Sequence, residues 1–331
     1  MRIAGSIAIL TALLLPSAAC AREVVVSDEA DLEALVGGNT GFALEMYGRL
    51  ASTEADGNVF FSPYSISSAL GMTWAGARGE TAGQMAVVLG FQLPPERLHA
   101  AFAGLLERLG PDYRSRLAGD DAEPLTLVTA NAIWIERSYP LLDEYVGLVE
   151  SGYGAAAMAS DFVGDPEGSR TTINDWVAET TRDRITDLIP PGLVDEATRV
   201  VLTNAVYFQG AWQDQFDRHE TRDEDFTILD GSVVRVPMMH QTGYFRYAVT
   251  SGCTAVALPY SDGMSSMLLL MPDGDVAEFE QGLDAGTLES VLAGLNGGEA
   301  SLAMPGFEFT CSFSLRDVLV EMGMTDAFSG S

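Results

Sequence analysis

Apolar residues recur along this chain in two rhythms, helical in the first third and strand-like in much of the rest. Phe42, Met46, Tyr47 and Leu50 fall on one 3.6-residue face, so a helix is predicted from about residue 39, after an acidic stretch that closes on Gly37-Gly38. NVFFSPYS (58–65) reads as a short strand broken by Pro63, and ISSALGMTWAGA (66–77) as a helix so small and apolar that it must be buried. Gly90 and Pro94-Pro95 precede a helix whose Leu98, Phe102, Leu105, Leu106 and Leu109 share a face until Gly110-Pro111 ends it.

The rhythm then shortens. LTLVTANAIWIE (125–136) alternates as a strand does, and RVVLTNAVYF (199–208) is the near-continuous apolar run that a central strand needs. Between them Ile173, Trp176, Val177 and Ile185 keep helical spacing. FTILDGSVVRV (226–236) predicts a hairpin with a type I′ turn at Asp230-Gly231, and CTAVALPY (253–260) with MSSMLLLMP (264–272) predicts a second around Ser261-Asp262-Gly263. Helical spacing returns at Val276, Phe279, Leu283, Leu288, Val291, Leu292 and Leu295, followed by a strand near 301–310 and a helix over 315–322 closed by Gly323. Helices early and hairpins late predict an α+β domain, not a regular βαβ wheel.

Composition adds compartment and excludes partners. Residues 1–20 combine Arg2, an apolar run from Ile7 to Leu15, and Pro16, Ser17, Ala18, Ala19 and Cys20, the layout of an export signal. Cys20 after two alanines resembles the lipobox of bacterial lipoproteins, although Ser17 stands where Leu is usual; ordinary signal cleavage fits the same residues. The expected partition is a signal segment at 1–20, an acidic lead-in at 21–38 and one domain at 39–331. With 47 acidic residues against 18 basic ones, all of them Arg, the net charge is −29, which repels a phosphate backbone and speaks against nucleic-acid partners. Simple solubility and adaptation to high salt both fit that charge. Cys253 and Cys311 could pair after export or sit buried as small hydrophobes.

No enzyme or cofactor signature emerges. His99, His219 and His240 belong to no HExxH motif, and Gly263-Met264-Ser265-Ser266-Met267 lacks the second Gly of a nucleophile elbow. Nothing near Cys253 would lower its pKa. The run Gly76–Gly83 has the glycines of a phosphate loop without its Lys, and a turn between helices accounts for it. The acidic residues show no metal-loop spacing. Catalytic residues, metal and cofactor are therefore all expected to be absent.

Three segments carry a resemblance: NVFFSPYSISSALGMTWAGARGETAGQM (58–85), TNAVYFQGAW (203–212) and MPGFEFTCSFSLRDVLVEMGMTDAFS (304–329). In this order and spacing they are similar to signature segments of the serpins, the serine-protease inhibitors. The resemblance implies an α+β fold with a large central mixed sheet, two further sheets and surrounding helices. It implies inhibition of a serine or cysteine protease, which cleaves an exposed loop and is trapped as that loop inserts as an extra strand. Ser62, Ser65 and Asn204 match the polar cluster that governs sheet opening, and Trp212 the aromatic residue where insertion begins; helix capping and ordinary core packing are the plainer readings. In the family the reactive loop and C-terminal strands follow the closing run. The reactive bond is thus expected to lie outside these 331 residues, which by themselves should be unstable and form no SDS-resistant protease complex. The alternative is a non-inhibitory serpin-like envelope binding protein. The partners implied are an unidentified target serine protease and, if Cys20 is acylated, a membrane reached through the lipid.

Overall fold

A computed structural model describes residues 27–53, 57–111, 113–114, 125–139, 141–308 and 314–329. The first helix, α1 (Glu29–Thr53), begins inside the stretch expected to be a lead-in and buries Leu32, Leu35, Phe42, Met46 and Leu50. Gly37-Gly38 does not break it. A Cβ on Gly38 would run into the backbone of Gly90, which holds φ +67°, so glycine there marks a close approach of two chain segments.

Residues 58–62 belong to no strand, and α2 (Pro63–Gly76) starts directly at Pro63, whose fixed φ suits the first helical position. The turn expected over 76–83 is confined to Ala77-Arg78, because α3 (Gly79–Val88) begins at once. With α4 (Pro95–Leu109) and α5 (Asp143–Tyr153), a helix the periodicity did not reveal, these elements close one core around Phe42, Met46, Met72, Met85, Phe102 and Tyr153. A late helix, α9 (Leu315–Glu321), adds Val318 and Leu319 to it.

That core lies against a three-stranded mixed sheet of order β2-β1-β3. Here β1 (Thr126–Glu136) runs parallel to β2 (Ala156–Ser160), also unforeseen, and antiparallel to β3 (Val200–Gln209). Alternation sends Ile133 toward the helical core and Ala132 and Trp134 to the opposite face, where Trp176 of α6 (Pro166–Thr180) meets Trp134 edge-on at 5.7 Å. Ile185 lies beyond α6, past Arg182 and Asp183, both at positive φ. The run read as a central strand, β3, pairs among the described residues with β1 only.

The second sheet is antiparallel, built from β4 (Arg222–Thr227), β5 (Val233–Val249), β6 (Cys253–Pro259), β7 (Ser266–Pro272) and β8 (Asn296–Pro305). The long β5 pairs in succession with β4 over 233–238, β8 over 238–247 and β6 over 246–249, so the described residues form two sheets where three were expected. Both predicted hairpins are present. In the first, only Gly231 takes a positive φ, +82°, with Gly231 N–H donating to Ile228 O; this is a three-residue loop with a left-handed glycine and not the expected type I′ turn. The 276–295 stretch is two helices, α7 (Val276–Gly282) and α8 (Ala285–Gly294), since Asp284 caps the second by accepting from Thr287 N–H. β8 starts earlier than expected because pairing with β5 recruits Asn296–Ala300.

Candidate functional site

The residues singled out by the sequence fall at three places around β3. Ser62 is the N-cap of α2, and its Oγ accepts from Ser65 N–H at 3.2 Å. Ser65, Ser67 and Ser68 are all buried, and Ser67 Oγ has no hydrogen-bond partner. Small hydroxyls on a buried helix face leave room for strands to pass close by.

On the sheet, Asn204 of β3 stands opposite Asn131 of β1. Asn204 Nδ2 donates to Asn131 Oδ1 at 2.5 Å, and Asn131 Nδ2 donates to the carbonyl of Tyr153 at 3.0 Å. The sheet is thereby tied to the end of α5. Among the described residues no hydrogen bond joins Asn204 to Ser62 or Ser65; Ser62 caps a helix that packs on β3 by accepting from the Ser65 N–H, and the asparagines form a separate chain. Asn131 and Tyr153 were missed by sequence reasoning. The signal for Asn131 was present, as an amide in an otherwise apolar strand that could not stay buried without partners.

Trp212 lies just past β3, bridged to Tyr260 and stacked on its ring at 4.7 Å and 11°. Phe208, near the end of β3, meets the same ring edge-on at 5.2 Å. Gln213 N–H donates to Pro259 O and Ser261 N–H to Ala211 O, so the exit from β3 is fastened to the β6-β7 hairpin. The turn of that hairpin is held by a distant cation. Arg114, 8 % exposed, pairs with Asp262, 3 % exposed, and its Nη2 also donates to Ser265 Oγ at 2.8 Å. The hairpin turn was legible; its distant cation was not.

The remaining chemistry is structural in form. His99 is buried, with Nδ1 2.7 Å from Tyr153 Oη, and burial lowers its pKa while pushing that of Tyr153 well up. His240 Nε2 lies 3.1 Å from Glu224 Oε1, whose pKa is lowered chiefly by Arg222 and then by the histidine. His219 is exposed. Cys253 is a buried free thiol beside Thr250; Cys311, for which the sequence leaves pairing and burial both open, and the lipid-attachment candidate Cys20 lie outside the described residues. Among the described residues no group of His, Cys, Asp and Glu is arranged to hold a metal, and no helix is long and apolar enough to cross a membrane.

Comparison with known proteins agrees with this geometry. The family described as Serpin (serine protease inhibitor) matches residues 37–331. An uncharacterised serpin-like protein of Thermococcus kodakarensis is 39% identical over 304 residues, covering 92% of this chain and 68% of the relative. Leukocyte elastase inhibitor of Bos taurus is 35% identical, over 90% of this chain and 79% of its own length. Emu ovalbumin superposes with a TM-score of 0.82 at 28% identity, covering 89% of this chain and 79% of that one.

Proposed function

The chain belongs to the serpin family, a family of inhibitors and not of enzymes, and from that premise we propose that it is the scaffold of a serine-protease inhibitor that accepts an added strand along β3. The observation that carries this reading is the outer edge of Val200–Gln209. Among the described residues it is unpaired, and its sequence VVLTNAVYFQ has neither a charge nor a proline. Edge strands of soluble proteins are usually blunted by such residues, so a long uncharged edge is suited to receiving another strand.

In this reading Ser62 and Ser65 give β3 a small, adaptable surface to slide on. The Asn131-Asn204 pair exchanges partners as the added strand arrives, and Trp212 marks the end of the edge where insertion starts. The protein to be inhibited is a serine protease, which the added strand, once cleaved, would carry with it.

The edge can be tested directly. Synthetic strand-forming peptides of about a dozen residues, long enough to cover β3, are added while hydrogen exchange at 200–209 and the melting temperature are followed. Protection of β3 with a raised Tm supports the proposal; unchanged exchange with every peptide rejects it.

Residues 1–20, with Cys20 as lipid-attachment site, support export to the cell envelope or beyond. Intact-mass analysis of the mature protein tests this. A diacylglyceryl group on an N-terminal Cys20 is the expected result, and a mature chain that retains Met1 rejects it.

A further inference from the structure

Arg114 is the one buried arginine among the described residues, and its charge is directed at the turn between β6 and β7. Its Nη2 pairs with Asp262 and donates to Ser265 Oγ at 2.8 Å. Asp262 in turn shapes that turn, its Oδ1 accepting from the Met264 and Ser265 amides at 3.2 and 3.0 Å. One guanidinium therefore holds the end of the hairpin in a single conformation.

The same turn reaches β3. Tyr260 is tied into it at both backbone groups, its N–H donating to Ser265 O at 2.9 Å and its carbonyl accepting from Gly263 N–H at 3.2 Å. The Tyr260 ring is the one on which Trp212 stacks and which Phe208 meets edge-on, and a Cβ on Gly210 would stand 2.9 Å from it. The backbone bonds of Gln213 to Pro259 and of Ser261 to Ala211 complete the fastening. Arg114, Asp262, Tyr260 and Trp212 thus lie along one contiguous path that ends at the exit of β3.

The pair is poorly designed for stability alone. Arg114 Nε is buried without a hydrogen-bond partner, and two opposite charges taken out of water gain little net stability. Buried pairs are better suited to fixing one arrangement among several. When the turn lifts away, both charged groups return to water and Nε finds a partner there, so the closed arrangement is held and can still be released.

We propose that Arg114 is a positioning residue for strand acceptance, a latch that keeps the exit of β3 closed by holding the β6-β7 turn that carries Tyr260. The inference rests on the reading of β3 as a strand-accepting edge. Entry of a strand at the Trp212 end then requires the Arg114-Asp262 pair to part.

Hydrogen exchange in the full chain tests the latch without any peptide. The Gln213 and Ser261 amides report opening of the exit, and the Met46 amide in the helical core reports global unfolding. Exchange through local opening is nearly independent of low urea, whereas exchange through global unfolding rises steeply with it. In Arg114→Met the urea-independent exchange of Gln213 and Ser261 should rise on the order of a hundredfold, the effect of removing one partner of a buried pair. Arg114→Lys keeps the charge and should reverse part of that rise. Ser265→Ala, a milder change that leaves the Asp262 contact in place, should give a rise of about tenfold, the loss of one hydrogen bond to a charged group. Strand-forming peptides should then protect β3 faster in the variants, in the same order. The latch is overturned if the two amides accelerate only in step with Met46, if neither Arg114→Met nor Ser265→Ala raises their urea-independent exchange, or if peptide entry does not follow a measured rise in opening. Failure of every peptide to protect β3, in parent and variants alike, would reject the strand-accepting edge instead, while exchange at Gln213 and Ser261 still decides whether Arg114 holds the exit.

Discussion

Asn204 on β3 and Asn131 on β1 face each other across the antiparallel ladder, and a single 2.5 Å hydrogen bond between their side chains continues through Asn131 to the carbonyl of Tyr153 on α5. Among the described side chains, the tie between β3 and the end of α5 therefore runs through one amide chain. Replacing Asn131 with Ala strands both the Tyr153 carbonyl and the Asn204 amide, a cost of about 1–3 kcal/mol for a buried unsatisfied group. Asn204→Ala should cost less, because Asn131 keeps its bond to the carbonyl. Urea unfolding of the two singles and the double should return a coupling energy of about 0.5–3 kcal/mol; additive singles would contradict the connection.

The Arg114-Asp262 pair is buried on both sides. Arg114→Met leaves a carboxylate without its counter-charge and should cost about 3–5 kcal/mol. Adding Asp262→Asn removes that charge yet preserves an acceptor for the Met264 and Ser265 amides, and should recover part of the loss. Chemical denaturation of both variants checks the order; a double variant less stable than Arg114→Met would refute it.

Glu136 is 1 % exposed at the end of β1, and its carboxyl is held below the usual range chiefly by the Ser138 hydroxyl, helped by the amides of Ser138 and Val163. A depressed carboxylate stabilises the fold fully above its unfolded value, near 4.5, and that contribution disappears as pH falls through the lower folded value. Other lowered carboxylates, Glu167 and Asp284 among them, share this acid limb. Glu136→Gln should lower stability at neutral pH and flatten the decline below pH of about 4.5 relative to the parent chain. Urea midpoints measured across that limb read both effects.

Gly38 and Gly41 occupy the same helix and should respond oppositely to alanine. At Gly41 nothing lies within 4 Å of an added Cβ, so Gly41→Ala should stabilise α1 by about 0.5–1 kcal/mol. At Gly38 the methyl meets the backbone of Gly90, and the substitution should destabilise by about 1–3 kcal/mol through overpacking. Melting temperatures that move in the same direction would show that α1 does not approach Gly90 so closely.

Trp212 and Tyr260 stack nearly parallel, which predicts a coupling of about 0.5–1.5 kcal/mol beyond burial in a double-mutant cycle with Leu at each position. Unfolding curves supply the four values. A coupling of zero would mean that the exit of β3 is held by the flanking backbone bonds alone.

Much of this architecture was legible in one dimension because it depends on one-dimensional signals. The 3.6-residue faces of α1 and α4, both hairpins and the Gly323 stop after α9 follow from side-chain spacing and backbone chemistry, whereas the strand expected over 58–65 gave way to a helix that starts at Pro63. The ordered segments at 58–85, 203–212 and 304–329 identified the family, and the family model and relatives bear that out. Residue type also marked Ser62 as a helix cap, since a hydroxyl before Pro63 satisfies an otherwise orphaned amide.

What the sequence could not decide were matters of distance between remote segments. Gly38 reads in sequence as a boundary before a helix and in space marks a close approach inside one, and only the position of Gly90 distinguishes them. α5 and β2 escaped notice because small and polar residues blur their periodicity, while packing against β1 and α4 overrides weak propensity. Asn131 opposite Asn204, Arg114 on Asp262 and His99 against Tyr153 pair residues separated by tens of positions or more, and no local pattern encodes such a partner. Local spacing thus determined most of the elements and the family of this protein. The tertiary structure alone decided which polar groups meet, because burial makes each of them require a partner that only the folded chain brings within reach.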